Sequence, residues 1–154
     1  YLSATTTPEK NRGYAYDLLG FLGLNTQSET VVPIFLHHLQ QEDHNDSNLH
    51  SLLESLHATQ LSLNSHLDQL LFYCFDERGL IRCSALRLLA RYTDHHDKIT
   101  ATLVEVLEFH YDEWDLRYAV ESLQIIQPNR WSTYLETVKA RVDDAYAKER
   151  LEDY

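Results

Sequence analysis

A step of 35 residues along this chain carries Leu18 onto Leu53, Leu88 and Leu123, and Arg12 onto Ser47, Arg82 and Arg117. The same step joins Ala15 to Ala85 and Val120, with His50 breaking the column. A fixed period of this length marks a chain assembled from stacked supersecondary units, none of which can bury its apolar side alone. Such chains are mostly surfaces that hold a partner and only occasionally catalysts.

Within each period the apolar residues recur three and four apart, the spacing of one face of an α-helix. Examples are Val32, Phe35, Leu36 and Leu39, then Leu67, Leu70, Leu71 and Cys74, then Leu116, Ala119, Val120 and Leu123. Helix-start residues precede the runs: Thr7 before Pro8, Ser28, Asp43 or Asp46, Asn64 or Ser65, Asp76, Asp94, Asp112, and Asn129 or Arg130. Breakers close them at Gly23, Asn25, Asn64 and Pro128. The pattern predicts eight helices in four hairpins: 8–22 with 28–41, 46–60 with 65–76, 77–93 with 96–111, and 112–127 with 130–148. These make repeat units of 8–41, 43–76, 77–111 and 112–148 in one domain spanning 1–154. After Val142 the last helix turns strongly charged, as an end that no further unit covers should.

Only 4 Gly and 3 Pro occur in 154 residues, which argues against an all-β fold with many tight turns. The net charge of −11 repels phosphate backbones and anionic lipid, so nucleic acid and membrane surfaces are not expected partners. A basic protein surface suits it better. Cys74 and Cys83 both fall in apolar helical runs, where free buried thiols are common, so a reducing, cytoplasmic setting is the expectation. No apolar run approaches a membrane span. The chain starts at Tyr1 and holds no Met, which marks a trimmed product or a fragment and leaves room for a removed targeting segment.

The two clearest units share an order of residues: an acidic turn, an apolar residue followed by Arg, then a small residue and Leu. It reads Asp76, Ile81-Arg82, Ala85, Leu88-Leu89, and again Asp112, Leu116-Arg117, Val120, Leu123. Arg12, Ala15 and Leu18-Leu19 repeat it with Asn11 in the apolar place, while Ser47 and His50 make the second unit degenerate. This order resembles that of HEAT repeats. The resemblance implies an all-α solenoid, a right-handed superhelix of about four antiparallel hairpins, with first helices convex and second helices concave. It implies that Ala85 sits at a close helix crossing and that Leu18, Leu53, Leu88 and Leu123 fill the space between layers. It also implies that arginines such as Arg12, Arg82 and Arg117 tie one unit to the next, Arg82 and Arg117 reaching Asp76, Glu77, Asp112 or Asp115. The tetratricopeptide pattern, of similar period, expects a Trp and a recurring Gly-x-x-Tyr that this chain lacks.

Candidate chemistry is sparse. Nine histidines invite a metal reading, but His50 and His57 lie seven apart on one helix and Asp94-His95-His96-Asp97 sits in a loop. The His-Glu dipeptides of the di-iron enzymes built on HEAT repeats are absent. Asp76-Glu77 and Asp112-Glu113 open helices, where acids complement the helix dipole without catalysis. No nucleophile motif or Gly-rich phosphate loop occurs, and no cofactor or metal is expected. The second helices of the hairpins carry Glu105, Glu108, Glu136 and Asp143, unlike the basic faces of HEAT-like DNA-repair enzymes. Exposed aromatics favour interfaces. The expected partner-binding patch is therefore Tyr111, Trp114 and Tyr134, ringed by Glu108 and Glu113, with Glu105 on the same acidic concave face. The function expected is a non-enzymatic scaffold that binds a peptide or a basic protein. The alternatives are a HEAT-type enzyme or subunit of the bilin-lyase kind, and an acidic inhibitor or immunity-type protein. Oligomeric state is not legible.

Overall fold

The computed structural model describes residues 9–26, 31–39, 41–59, 63, 65–110 and 112–154, without the side chains of 9, 10 and 22–26. The expected caps Thr7, Ser28 and Asn64, and Tyr111, lie outside the described residues. Among the described residues the protein is all-helical, with nine α-helices and no strand. Its contacts divide it into two compact units, Tyr1–His66 and Leu67–Tyr154, and the boundary falls inside the expected repeat 43–76. No helix among the described residues is long and apolar enough to cross a membrane.

The first unit holds α1 (Glu9–Thr26), α2 (Val31–His38) and α3 (Asp46–Ala58). Two glycines let α1 approach α3 closely. A Cβ added at Gly20 would stand 2.8 Å from Ser55 Cβ and 3.0 Å from Ser55 Cα, and the Gly13 amide donates to Asn48 Oδ1 at 2.9 Å. Both pairs are 35 residues apart, so the sequence period is here a physical contact. Asn45 caps α3 by accepting from the Asn48 amide at 3.0 Å.

Between α2 and α3 the carboxylate of Glu42 is fully buried. It accepts from Arg12 Nε and Nη2, from Tyr16 Oη at 2.6 Å and from Asn48 Nδ2 at 3.0 Å. Burial alone would raise its pKa. The bonds from Arg12, Tyr16 and Asn48 outweigh burial and hold it below the ordinary glutamate value. Burial, and the same carboxylate, push the Tyr16 phenol well up.

This packing settles the face of α1. Gly13 and Gly20 look toward α3, and Leu18 stands about 140° around the helix from Gly13. Leu18 is consequently 57% exposed, whereas Leu53, Leu88 and Leu123 are fully buried. The expectation that Leu18 fills an inter-layer space is corrected: α1 meets the next unit through Arg12 and Gly13, the positions matched by Arg82 and Cys83 of the second unit, and the side that carries Leu18 is left exposed.

The second unit holds α4 (Leu67–Tyr73), α5 (Gly79–Leu89), α6 (His96–Phe109), α7 (Glu113–Ile126), α8 (Trp131–Arg141) and α9 (Ala145–Glu152). Packing joins α4 to α5, α5 and α6 to α7, and α8 to α6, α7 and α9. The core contains Ala85, Leu88, Leu103, Val106, Leu107, Leu123 and Val138. Buried Ser122 donates to the Leu86 carbonyl at 2.8 Å, joining α7 to α5. Asp112 caps α7, as its sequence position predicts. Asp76 does not cap α5. It binds the Arg78 amide and guanidinium instead, and Arg78 takes the cap position. His95 precedes α6 in the left-handed region at φ 57°, and His66 in the first unit adopts φ 61°.

The expected helix 130–148 is two helices. The backbone becomes extended at Val142, and Asp144 starts α9 by accepting from the Ala147 amide at 2.9 Å. Val142, Ala147 and Leu151 are buried, so the charged stretch is not a solvated tail but a short amphipathic element.

Candidate functional site

The starts of α7 and α9 border a recess of about 630 Å³. The first turn of α7 contributes Asp112, Glu113 and Trp114, and the start and body of α9 contribute Asp144, Tyr146 and Arg150. Both aspartates are held in place by capping, because Asp112 Oδ1 accepts from the Trp114 amide at 3.0 Å and Asp144 Oδ1 from that of Ala147. Trp114 is 50% exposed and Tyr146 55%. Arg150 lies over the Tyr146 ring at 5.3 Å, donates to its hydroxyl at 3.1 Å, and approaches Glu113 Oε2 at 3.5 Å. Three exposed carboxylates and one guanidinium thus line the recess together with two half-exposed rings, and Glu113 is the acid nearest the guanidinium.

The Trp114 ring is itself braced. It stacks on Tyr118 at 5.9 Å, Arg117 lies over the Trp114 ring at 5.5 Å, and Arg87 lies over Tyr118 at 5.2 Å. This places Arg117 differently from the expectation. It pairs with Glu121 one turn along α7, on the surface, and with none of Asp76, Glu77, Asp112 or Asp115. Arg82 spans α5 to α7: Nε and Nη2 donate to Asp115 Oδ2 at 2.9 and 2.7 Å, and Nη1 to the carbonyls of Asp76 and Glu77. Asp115 is fully buried, so this is an interior pair rather than a surface one. Its Oδ1 accepts from Cys83 Sγ at 3.4 Å. Burial and then Asp115 push the Cys83 thiol up to about 12, which makes it a poor nucleophile at neutral pH. Both cysteines are free. Among the described residues no group of three His, Cys, Asp or Glu could hold a metal ion.

The structure does not gather the six residues expected at a partner site. Glu113 and Trp114 line the α7–α9 recess. Tyr134 lines a separate groove between α6 and α8. Glu108 is bound by Arg141 at 2.8 Å at the end of that groove, and Glu105 is exposed on α6 without lining it. Tyr111 is outside the described residues. The α6–α8 face is therefore of mixed charge, not uniformly acidic. Asp144, Tyr146 and Arg150 were not legible as site residues, because a continuous last helix would carry them away from α7. The signal that could have placed them is Asp144, a helix-start residue two positions after Val142.

Compared with known protein families, curated proteins and solved structures, the chain matches none.

Proposed function

We propose that this protein is a non-enzymatic protein-binding module, a solenoid of HEAT-type hairpins whose α7–α9 recess receives a basic side chain of a partner protein. The stacked reading is supported by α1 lying on α3 and α5 on α7 through residues 33–36 apart, namely Gly13 with Asn48, Arg82 with Asp115 and Leu86 with Ser122. A reducing, cytoplasmic setting fits the two free thiols.

One observation carries the binding reading: three carboxylates and two half-exposed rings surround a single recess that holds one cation of its own. A lysine or arginine entering there meets opposite charge and aromatic faces together, and the two reinforce each other. The recess also collects Glu113 and Trp114, two of the residues the sequence singles out.

Titration of dye-labelled, short lysine- and arginine-containing peptides with the protein, followed by fluorescence anisotropy, tests it. Binding should weaken about tenfold or more between low and high salt. It should be lost in Glu113→Lys combined with Trp114→Ala, both exposed positions. Equal response to glutamate-containing peptides, or unchanged affinity in the double variant, would overturn the assignment.

A further inference from the structure

We propose that the groove between α6 and α8 is a second binding site, one for an extended acidic peptide segment of a partner protein, with a carboxylate seated on Arg130. The groove encloses about 450 Å³. Thr100, Ala101 and Val104 of α6 form one wall, and Thr133, Tyr134 and Thr137 of α8 the other. Methyl groups and a ring thus make a mostly apolar channel with polar ends, the usual character of a ligand site.

The ends differ. Asp97 and Arg130 stand at the starts of α6 and α8, and Glu108 and Arg141 near their finishes, so the helices run side by side in one direction. At the far end the ion pair is closed, Arg141 Nη1 donating to Glu108 Oε1 at 2.8 Å. At the near end it is open. Among the described residues Arg130 makes no ion pair, with Asp97 or any other acid, and its guanidinium lies over the Tyr134 ring, 5.1 Å from the centroid. A guanidinium carries a planar fork of donors that fits a carboxylate, and contact with the ring holds it at the groove. The groove therefore offers one cation, held against a ring, at the mouth of an apolar channel.

The length of the groove fits a short extended occupant. Arg130 to Arg141 spans eleven helical steps, about 16 Å. An extended chain covers that with about five residues.

The test uses dye-labelled, end-blocked peptides read by fluorescence anisotropy. The sequences are Asp-Val-Ala-Val-Ala, its reverse, and the matching Asn versions. One acidic peptide should bind at least tenfold tighter than its Asn counterpart. Arg130→Gln should erase that difference. Ala101→Phe, and independently Thr137→Phe, place bulk in the channel from exposed positions on opposite walls, and each should weaken binding at least tenfold. Asp97→Asn should strengthen it several-fold by removing the competing field. Circular-dichroism melting identifies the variants that fold. Equal affinity for acidic and Asn peptides overturns the proposal. So does a loss in Arg130→Gln with none in either Phe variant, which would mean surface charge attraction alone. Basic-peptide binding at the α7–α9 recess, measured on the same variants, should stay unchanged, so the two sites fail separately.

Discussion

Arg82 grips a single oxygen of Asp115 with two nitrogens, 2.9 and 2.7 Å away, while its third nitrogen holds the turn carbonyls of Asp76 and Glu77. One side chain thus fastens the start of α5 to the first turn of α7. Removing the acid strands a buried cation. Asp115→Ala should cost about 3 kcal/mol or more in urea unfolding. Arg117→Ala, whose partner Glu121 is on the same exposed surface, should leave the transition where it is. Equal effects of the two would contradict the difference in burial.

Gly20→Ala tests the α1–α3 crossing. The new methyl would meet Ser55 backbone as well as side chain, so no rotamer change relieves it. A loss of about 1–3 kcal/mol is expected. Adding Ser55→Gly should recover part of it, and a double variant no better than Gly20→Ala would place the strain elsewhere.

Glu42 makes the first unit acid-sensitive in a predictable direction. Its folded pKa lies below its unfolded value, because the bonds from Arg12, Tyr16 and Asn48 prevail over burial. The contribution is therefore complete above the unfolded value of 4.5 and disappears as pH falls through the folded value. The stability gap between the native protein and Glu42→Gln should be widest near pH 6 and narrow steadily below pH 4.5. A gap independent of pH would remove the ionised carboxylate from the account.

The leucine column yields a paired comparison. Leu88→Asp buries a charge where no water reaches and should unfold the second unit. Leu18→Asp, on a surface that is 57% exposed, should melt within a few degrees of the native protein. Similar damage from both would contradict the difference in burial between Leu18 and Leu88.

What the sequence made legible was helix type and most helix placement. Leu53, Leu88 and Leu123 repeat with the helical period and with the 35-residue step, and burial on one face produces both signals at once. The exposure of Leu18 was not legible. It follows from which side of α1 meets α3, and the contacts that set this, Gly13 with Asn48 and Arg12 with Glu42, join residues that no local pattern links. The site was legible only in half. Glu113 and Trp114 stand at a capped helix start, where their exposure follows from position. Tyr146 and Arg150 reach them only because the chain straightens at Val142, a break created by Asp144 competing for backbone amides in a stretch otherwise able to stay helical.

That break has a dynamic consequence. The last helix is eight residues long, far below the length at which a helix holds itself together in water, and it is fastened through Ala147 and Leu151. Its amides should exchange with deuterated solvent ahead of those of α7, which is fourteen residues long and packed on three neighbours. One bank of the recess is in effect a clasp. It can fray and re-form while the opposite bank, with Trp114, stays still, so an arriving ligand could trim the opening to its own size without disturbing the helices beneath.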